Sequence, residues 1–299
     1  MFIAYAIRGA AVRDGVSLMP WHQTAPQYLI LMALGFGIGG YGSLIGAGGG
    51  FLLMPLLLVL YPHDPAHHLT AISLAVVCIN TISGTGAYAH MKRIDYKSGF
   101  MFAAATIPGS IFGVLTTASI SRNLFEGVFS VFLIGLALFM FFRPKSDTGK
   151  KLDRLSKPSS GMTRALVRPH GITYEYTFHP LLGISVFLFL GFLASFLGIG
   201  GGSLVVPILA YLLNFPVAIA TATSQFVVAI LTLNATLVHI WLGSFHHGAH
   251  RIAALGIGVL IGAQVGAYLS NKIKGLWIIR ALAFALVLAG VRMLIGALG

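Results

Sequence analysis

From residue 176 to residue 250 the chain carries not one Asp, Glu, Lys or Arg. A single helical crossing of a bilayer takes only about 20 apolar residues, so a stretch of this length has to pass through hydrocarbon more than once. The rest of the chain agrees: 57% of its 299 residues are hydrophobic and 9% charged, against about 25% charged in a soluble domain. The formal charge of +12 then reads as orientation in a membrane, with Lys and Arg gathered in loops, and not as a nucleic-acid surface. One cysteine, Cys78, excludes both a disulfide framework and a cysteine metal cluster.

Apolar segments fall near residues 28–60, 70–89, 99–120 and 124–142, and again near 180–213, 217–240, 252–270 and 276–297. Residues 1–27 form an N-terminal segment that lacks the compact apolar core and small-residue cleavage site of a signal peptide. Residues 143–179 carry Arg143, Lys145, Lys150, Lys151, Arg154, Lys157, Arg164 and Arg168 among prolines, serines and glycines, the composition of a solvated cytoplasmic linker. The segments on either side of it, 28–142 and 180–299, are two copies of one unit. Gly46 and Gly198 are 152 residues apart, as are Pro55 and Pro207; LTAIS from residue 69 matches ATATS from residue 220 at 151; Ile111-Phe112-Gly113 matches Gln264-Val265-Gly266 at 153. A drift this small across the whole unit marks an internal duplication, common among secondary transporters. The expected fold is an all-α polytopic membrane protein of about eight segments in two four-segment repeats.

The first segment of each repeat is broken by glycine: GAGGGFLLMP (46–55) and GIGGGSLVVP (198–207). Glycine costs about 1 kcal/mol relative to alanine in a helix interior, and three stand in a row. At about 33 residues each broken segment is also too long for one straight span. Either it crosses once, giving eight spans, or it dips in and returns as a hairpin, which makes the two repeats inverted. A helix that begins inside the membrane at Gly48-Gly49-Gly50, or at Gly200-Gly201-Gly202, presents free N–H groups and the positive end of its dipole, a natural anion site. Close packing of helices through small residues is the structural alternative.

Polar residues supply the other wall: Thr70, Ser73 and Asn80 in the first repeat, Thr221, Ser224, Gln225 and Asn234 in the second. Thr70 with Ser73 and Thr221 with Ser224 share a helical face, where neutral hydroxyls can coordinate an oxyanion unless they bond their own helix carbonyls. His90 and His239 stand near the ends of corresponding helices and, with Glu126, the acidic residue near a membrane segment, are the candidates for proton-linked roles. His67-His68 and His246-His247 lie in loops without a Cys or carboxylate at ligand spacing, so neither metal nor cofactor is expected. GFGIGG (35–40) fits the dinucleotide pattern but has no strand before it and no acid after it. An intramembrane serine hydrolase using Ser203 or Ser83 with His239 is the enzyme alternative; no G-x-S-G is present, and the duplicate of Ser203 is Phe51. Arg280 lies near the start of the last segment, within snorkelling reach of the surface.

The doubled G-x-G-G-G followed by a hydrophobic run and proline, the Ala-Thr-Ser-like helix after each, the PGSIFG stretch at Pro108–Gly113 and the basic mid-chain loop resemble the sulfite exporter TauE/SafE family. The resemblance spans roughly residues 28–297. It implies a bacterial inner-membrane carrier, not an enzyme, for a small sulfur-containing anion such as sulfite or sulfoacetate. The anion would be held at the paired half-helix ends, with alternating access between the repeats. A passive anion channel is the other transport reading. The implied partners are the anion and the lipid bilayer, with no nucleic acid; a second copy of the chain is a further candidate.

Overall fold

Proline and glycine set the element boundaries. The computed structural model describes residues 25–142, 162–167, 173–245, 249–270 and 290. In order these form α1 (Ala25–Ile45), α2 (Gly50–Leu60), α3 (Ala66–His90), α4 (Tyr96–Ser119), α5 (Arg122–Phe142), β1 (Met162–Val167), β2 (Thr173–Phe178), α6 (Pro180–Phe196), α7 (Gly202–Pro207), α8 (Val217–Trp241) and α9 (Ala249–Leu269). Helix α7 runs on as a π-helical turn over Ile208–Leu212. Pro65 and Pro216 stand at the N-caps of α3 and α8, and Asp95 caps α4 by accepting from the Ser98 N–H at 3.2 Å. Helices α1, α3, α4, α8 and α9 are long and apolar enough to cross a membrane. Leu29, Phe112, Phe189 and Trp241 stand exposed on the outside, the surface that lipid would cover.

Contacts fix the direction of each helix. At one end of the bundle, the Asp64 end, His68 Nδ1 lies 2.7 Å from the Ser244 carbonyl and Arg251 pairs with Asp64. Arg122 donates there to the carbonyls of Leu58, Tyr61 and Asp64, closing the C-terminus of α2. At the Asp95 end, the Asp95 N–H donates to Thr223 Oγ1 at 3.1 Å, and the rings of Tyr176 and Phe215 lie 4.4 Å apart. Helix α3 therefore runs from the Asp64 end to the Asp95 end, and α8 runs the opposite way.

Glycine faces join the other helices. Gly258, Gly262 and Gly266 of α9 press in turn on Met32 and Phe36, on Phe36 and Gly40, and on Gly40 of α1, so these two helices run parallel. Gly109 and Gly113 of α4 meet Leu188, Phe192 and Phe196 of α6 in the same manner. Such small-residue seams bring helix backbones together where no hydrophobic force acts between them.

Because α1 runs parallel to α9, it begins at the Asp64 end, and α2 finishes there. The first broken segment is thus a hairpin that leaves by the end it entered, and α6–α7 is the same hairpin at the Asp95 end. Of the two arrangements the sequence allows, the described residues form the hairpin one, so eight straight crossings are not formed.

The fold is not wholly helical either. Strands β1 and β2 pair antiparallel, Met162 opposite Phe178 and Val167 opposite Thr173, inside the stretch expected as a solvated linker. Tyr176 and Phe178 are buried against Phe102, Phe187 and Phe215. The alternation Tyr174, Tyr176, Phe178 carries that strand, and the surrounding bases hide it. The N-terminal residues 1–24, the basic stretch 143–161, His246-His247, Arg280 and, but for Gly290, the expected last segment 276–297 lie outside the described residues.

Candidate functional site: two glycine turns meeting tip to tip

Each hairpin turns on the same local geometry. Gly46, Gly48 and Gly49 have φ of +76°, +68° and +79°; Gly198, Gly200 and Gly201 have +69°, +69° and +77°. Side chains avoid this left-handed region, so the turn needs glycine. Gly42 O accepts from the N–H groups of Ala47 and Gly48 at 2.7 and 3.2 Å, and Ala194 O from those of Ile199 and Gly200 at 3.1 and 3.3 Å. Gly49 and Gly201 then open α2 and α7 with no side-chain cap.

The tips touch. A methyl group on Gly50 would sit 2.6 Å from the carbonyl carbon of Ile199, and one on Gly202 would sit 2.5 Å from Ala47 Cα. Val77, at the middle of α3, lies against both Gly48 and Gly200. Each turn is tied to the long helix of the other half: Ser73 Oγ donates to Gly198 O at 2.6 Å, and Ser224 Oγ to Gly46 O at 2.8 Å. The methyls of Thr70 and Thr221 pack on Gly198 and Gly46 in the same reciprocal sense.

The expected site residues are therefore largely brought together, with their donors already engaged. Besides the two serines, Thr70 Oγ1 donates to His67 O at 3.0 Å and Thr221 Oγ1 to Val217 O at 2.8 Å, each within its own helix. Asn80 Nδ2 donates to Gly48 O at 2.7 Å, while Asn80 Oδ1 accepts from Ser43 Oγ at 3.2 Å. Tyr88 OH completes this chain by donating to Ser43 O at 2.9 Å. Gln225 is fully buried beside Gly84. Asn234 lies apart from the tips, donating to Ser110 Oγ on α4. Helices α1, α2, α3, α6, α7 and α8 contain no Asp, Glu, Lys or Arg, so the helix ends supply the positive potential at the tips.

The proton-linked candidates stand elsewhere. Glu126 is ion-paired to Arg122 at 2.6 Å at the Asp64 end. His90 is exposed at the end of α3. His239 is buried near the same end as Glu126, with Nδ1 3.3 Å from Ser244 Oγ. Ser83 Oγ donates to Leu260 O, and Ser203 Oγ is buried without a partner, so neither serine is paired with a histidine.

Two features escaped the sequence reading. Ser43 has a duplicate in Ser195 at the same offset of 152 as the glycines, a signal the repeat alignment contained. Asp95 is a second acid at a helix mouth, buried and bonded to Tyr176 OH at 2.6 Å.

The reciprocal serine ties predict a stability pattern. Ser73→Ala and Ser224→Ala should each cost about 1 kcal/mol, because a buried carbonyl loses its donor. Thr221→Val, which keeps the methyl on Gly46 and removes only a bond within its own helix, should stay within about 0.5 kcal/mol. Denaturant titration in detergent measures all three.

Apolar helices turned back at buried glycine tips, with polar side chains gathered inside, define a multi-pass membrane protein. The chain belongs to the sulfite exporter TauE/SafE family, whose profile matches residues 31–293. It is 30% identical over 274 residues to the probable membrane transporter protein YunE of Bacillus subtilis, covering 90% of this chain and 97% of that protein. A probable membrane transporter protein of Methanocaldococcus jannaschii is 27% identical over 257 residues, covering 82% and 87%. One from Xylella fastidiosa (strain Temecula1) is 26% identical over 258 residues, covering 82% and 88%. No solved structure matches the chain significantly.

Proposed function

We propose that the protein is a secondary transporter for a small sulfur-containing anion, sulfite or an organosulfonate such as sulfoacetate, in the bacterial inner membrane. The observation that carries this reading is the tip-to-tip meeting of two glycine turns that enter from opposite ends of the bundle. Discontinuous helices whose N-termini face each other at mid-depth are where transporters of this kind hold anions. The anion sits against the turns at Gly48–Gly50 and Gly200–Gly202. The hydroxyls of Thr70, Ser73, Thr221 and Ser224 exchange their carbonyl acceptors for its oxygens. Alternating access follows from one repeat rocking on the other, each serine tie breaking as its side opens. The basic stretch 143–179 faces the cytoplasm under the positive-inside rule.

The test is thermal stability of the purified protein against sulfite, sulfate, thiosulfate, sulfoacetate, taurine and acetate, followed by flux in liposomes. A substrate at a hundred times its Kd adds about 2.7 kcal/mol. Selective stabilisation by a sulfur anion with saturable counterflow is the expected result. Flux without counterflow would make the protein a channel, and the absence of both stabilisation and flux would overturn the transport of sulfur anions.

A further inference from the structure

Gln225 is fully buried, and neither atom of its carboxamide has a hydrogen-bond partner within the protein. Leaving two donors and an acceptor unpaired at 0% exposure costs several kcal/mol unless a ligand meets them. The location is specific. A methyl group on Gly84 would lie 3.3 Å from Gln225 Cδ and Oε1 and 3.0 Å from Ser43 Oγ, so the glycine leaves the amide and the hydroxyl facing one small space. One residue earlier, Ser224 holds the first glycine turn by Gly46 O. Nearby, Asn80 and Ser43 are bonded to each other and to Gly48 O, which leaves Gln225 as the amide with free capacity in this layer.

The duplication sharpens this. At the offset of 151, the counterparts of Gln225 and Asn80 are Leu74 and Leu231, both fully buried among apolar side chains. Each half thus carries an amide at a position where the other carries leucine, and neither amide is a requirement of the shared fold.

We propose that Gln225 is the specificity-determining residue of the anion site and that it selects a singly charged oxyanion still bearing one proton, of which hydrogen sulfite is the smallest sulfur example. This rests on the transport reading above. A carboxamide presents N–H donors and a carbonyl acceptor side by side. A fully deprotonated oxyanion brings acceptors only, so it satisfies Nε2 and leaves Oε1 facing negative charge. An oxyanion with an O–H satisfies both, its O–H donating to Oε1 and its O⁻ accepting from Nε2. Charge favours the same ion. The N-terminus of α2 and that of the helical run Gly202–Leu212 together supply about one elementary charge, which matches a monoanion and leaves half of a dianion uncompensated.

The experiment is a thermal-shift titration of the full chain in detergent with sulfite, sulfate and methanesulfonate, one pH unit below and one above the second ionisation of sulfite. Methanesulfonate keeps one charge and no O–H at both, so it reports titration of the protein's own groups. On the helices that carry Ser43 and Gly84 these are Tyr41, Cys78, Tyr88 and His90, with Arg93 beside Tyr88 and Asp95 bonded to Thr223, two residues before Gln225; His67, His68 and His239 stand at the far end, His239 about 21 Å along α8. Apparent sulfite affinity is expected to be about tenfold tighter at the lower pH, following the competent fraction of ligand. Methanesulfonate should be unchanged and weaker, and sulfate without effect. In Gln225→Leu, sulfite should weaken about tenfold and lose its pH dependence while methanesulfonate stays within about twofold. Gly84→Ala, whose methyl displaces the amide, should act in the same direction. Equal binding of sulfite and methanesulfonate at both pH values in the wild type overturns the proposal and leaves the transport reading standing. No stabilisation by any of the three at either pH also overturns the proposal, and that reading falls with it only when the six-anion panel and the liposome flux are blank as well. The wild-type comparison decides the matter alone if a variant does not fold.

Discussion

Gly50→Ala and Gly202→Ala are each expected to eliminate folded protein, and Gly37→Ala to leave it intact. A methyl on Gly50 would lie 2.6 Å from the carbonyl carbon of Ile199, and one on Gly202 would lie 2.5 Å from Ala47 Cα. Both obstacles are backbone, so no rotamer change relieves them, and the hairpins have to separate. Separation breaks the serine ties to Gly46 O and Gly198 O and opens the packing of the buried Phe51 and Val205. The expected loss exceeds about 4 kcal/mol, above the roughly 1–3 kcal/mol usual for overpacking, because backbone and not a side chain stands in the way. Gly201→Ala should be milder, about 1–2 kcal/mol: its φ of +77° strains any side chain, yet the methyl would meet only Ala194 Cβ and Leu190 Cδ2. Gly37 has nothing within 4 Å of such a methyl, so Gly37→Ala serves as the control. Size-exclusion profiles and Tm in detergent rank the four. A monodisperse Gly50→Ala protein with wild-type Tm would mean that the tips do not meet.

This ranking could not be drawn from the sequence, although its ingredients were visible there. The duplicated glycines, the polar faces of α3 and α8 and the excess length of the broken segments are all local features, and local features are legible. The direction of α3 against α8 is not, because it is set by contacts such as Ser73 with Gly198, 125 residues apart. For the same reason the hydroxyl faces read as a ready anion shell, whereas each serine is already bonded to the opposite turn. Asp95 was overlooked because it stands one residue before its helix, outside the apolar segment where a buried acid would be sought. The asymmetry of Gln225 and Asn80 against Leu74 and Leu231 needed no structure. What the structure adds is that the amide is buried beside the tip with nothing bonded to it.

Asp95 carries the second large effect. Its carboxylate accepts from the Ser98 N–H at 3.2 Å and from Tyr176 OH at 2.6 Å, and its own N–H donates to Thr223 Oγ1 at 3.1 Å. Asp95→Ala removes the cap of α4, about 1 kcal/mol, and takes from the buried Tyr176 hydroxyl its carboxylate acceptor, about 2 kcal/mol more. Tyr176→Phe keeps the cap and should cost about 2 kcal/mol. Because the two residues share one bond, the double variant should cost less than the sum of the single ones, with a coupling of about 1–2 kcal/mol. The pair fastens strand β2 to α4, and through the Tyr176–Phe215 contact to the loop ahead of α8, so the Asp95 end cannot splay while it holds. Under the alternating access proposed above, the pair would be released whenever that end opens. Ser98 is fully buried beneath the pair. In a Cys78→Ala, Ser98→Cys background, Tyr176→Phe should therefore raise labelling by an impermeant maleimide about tenfold, the population shift equivalent to about 1.4 kcal/mol. Unchanged labelling together with a lowered Tm would confine the pair to holding the fold, and the opening motion would then have to leave the hairpin strand in place.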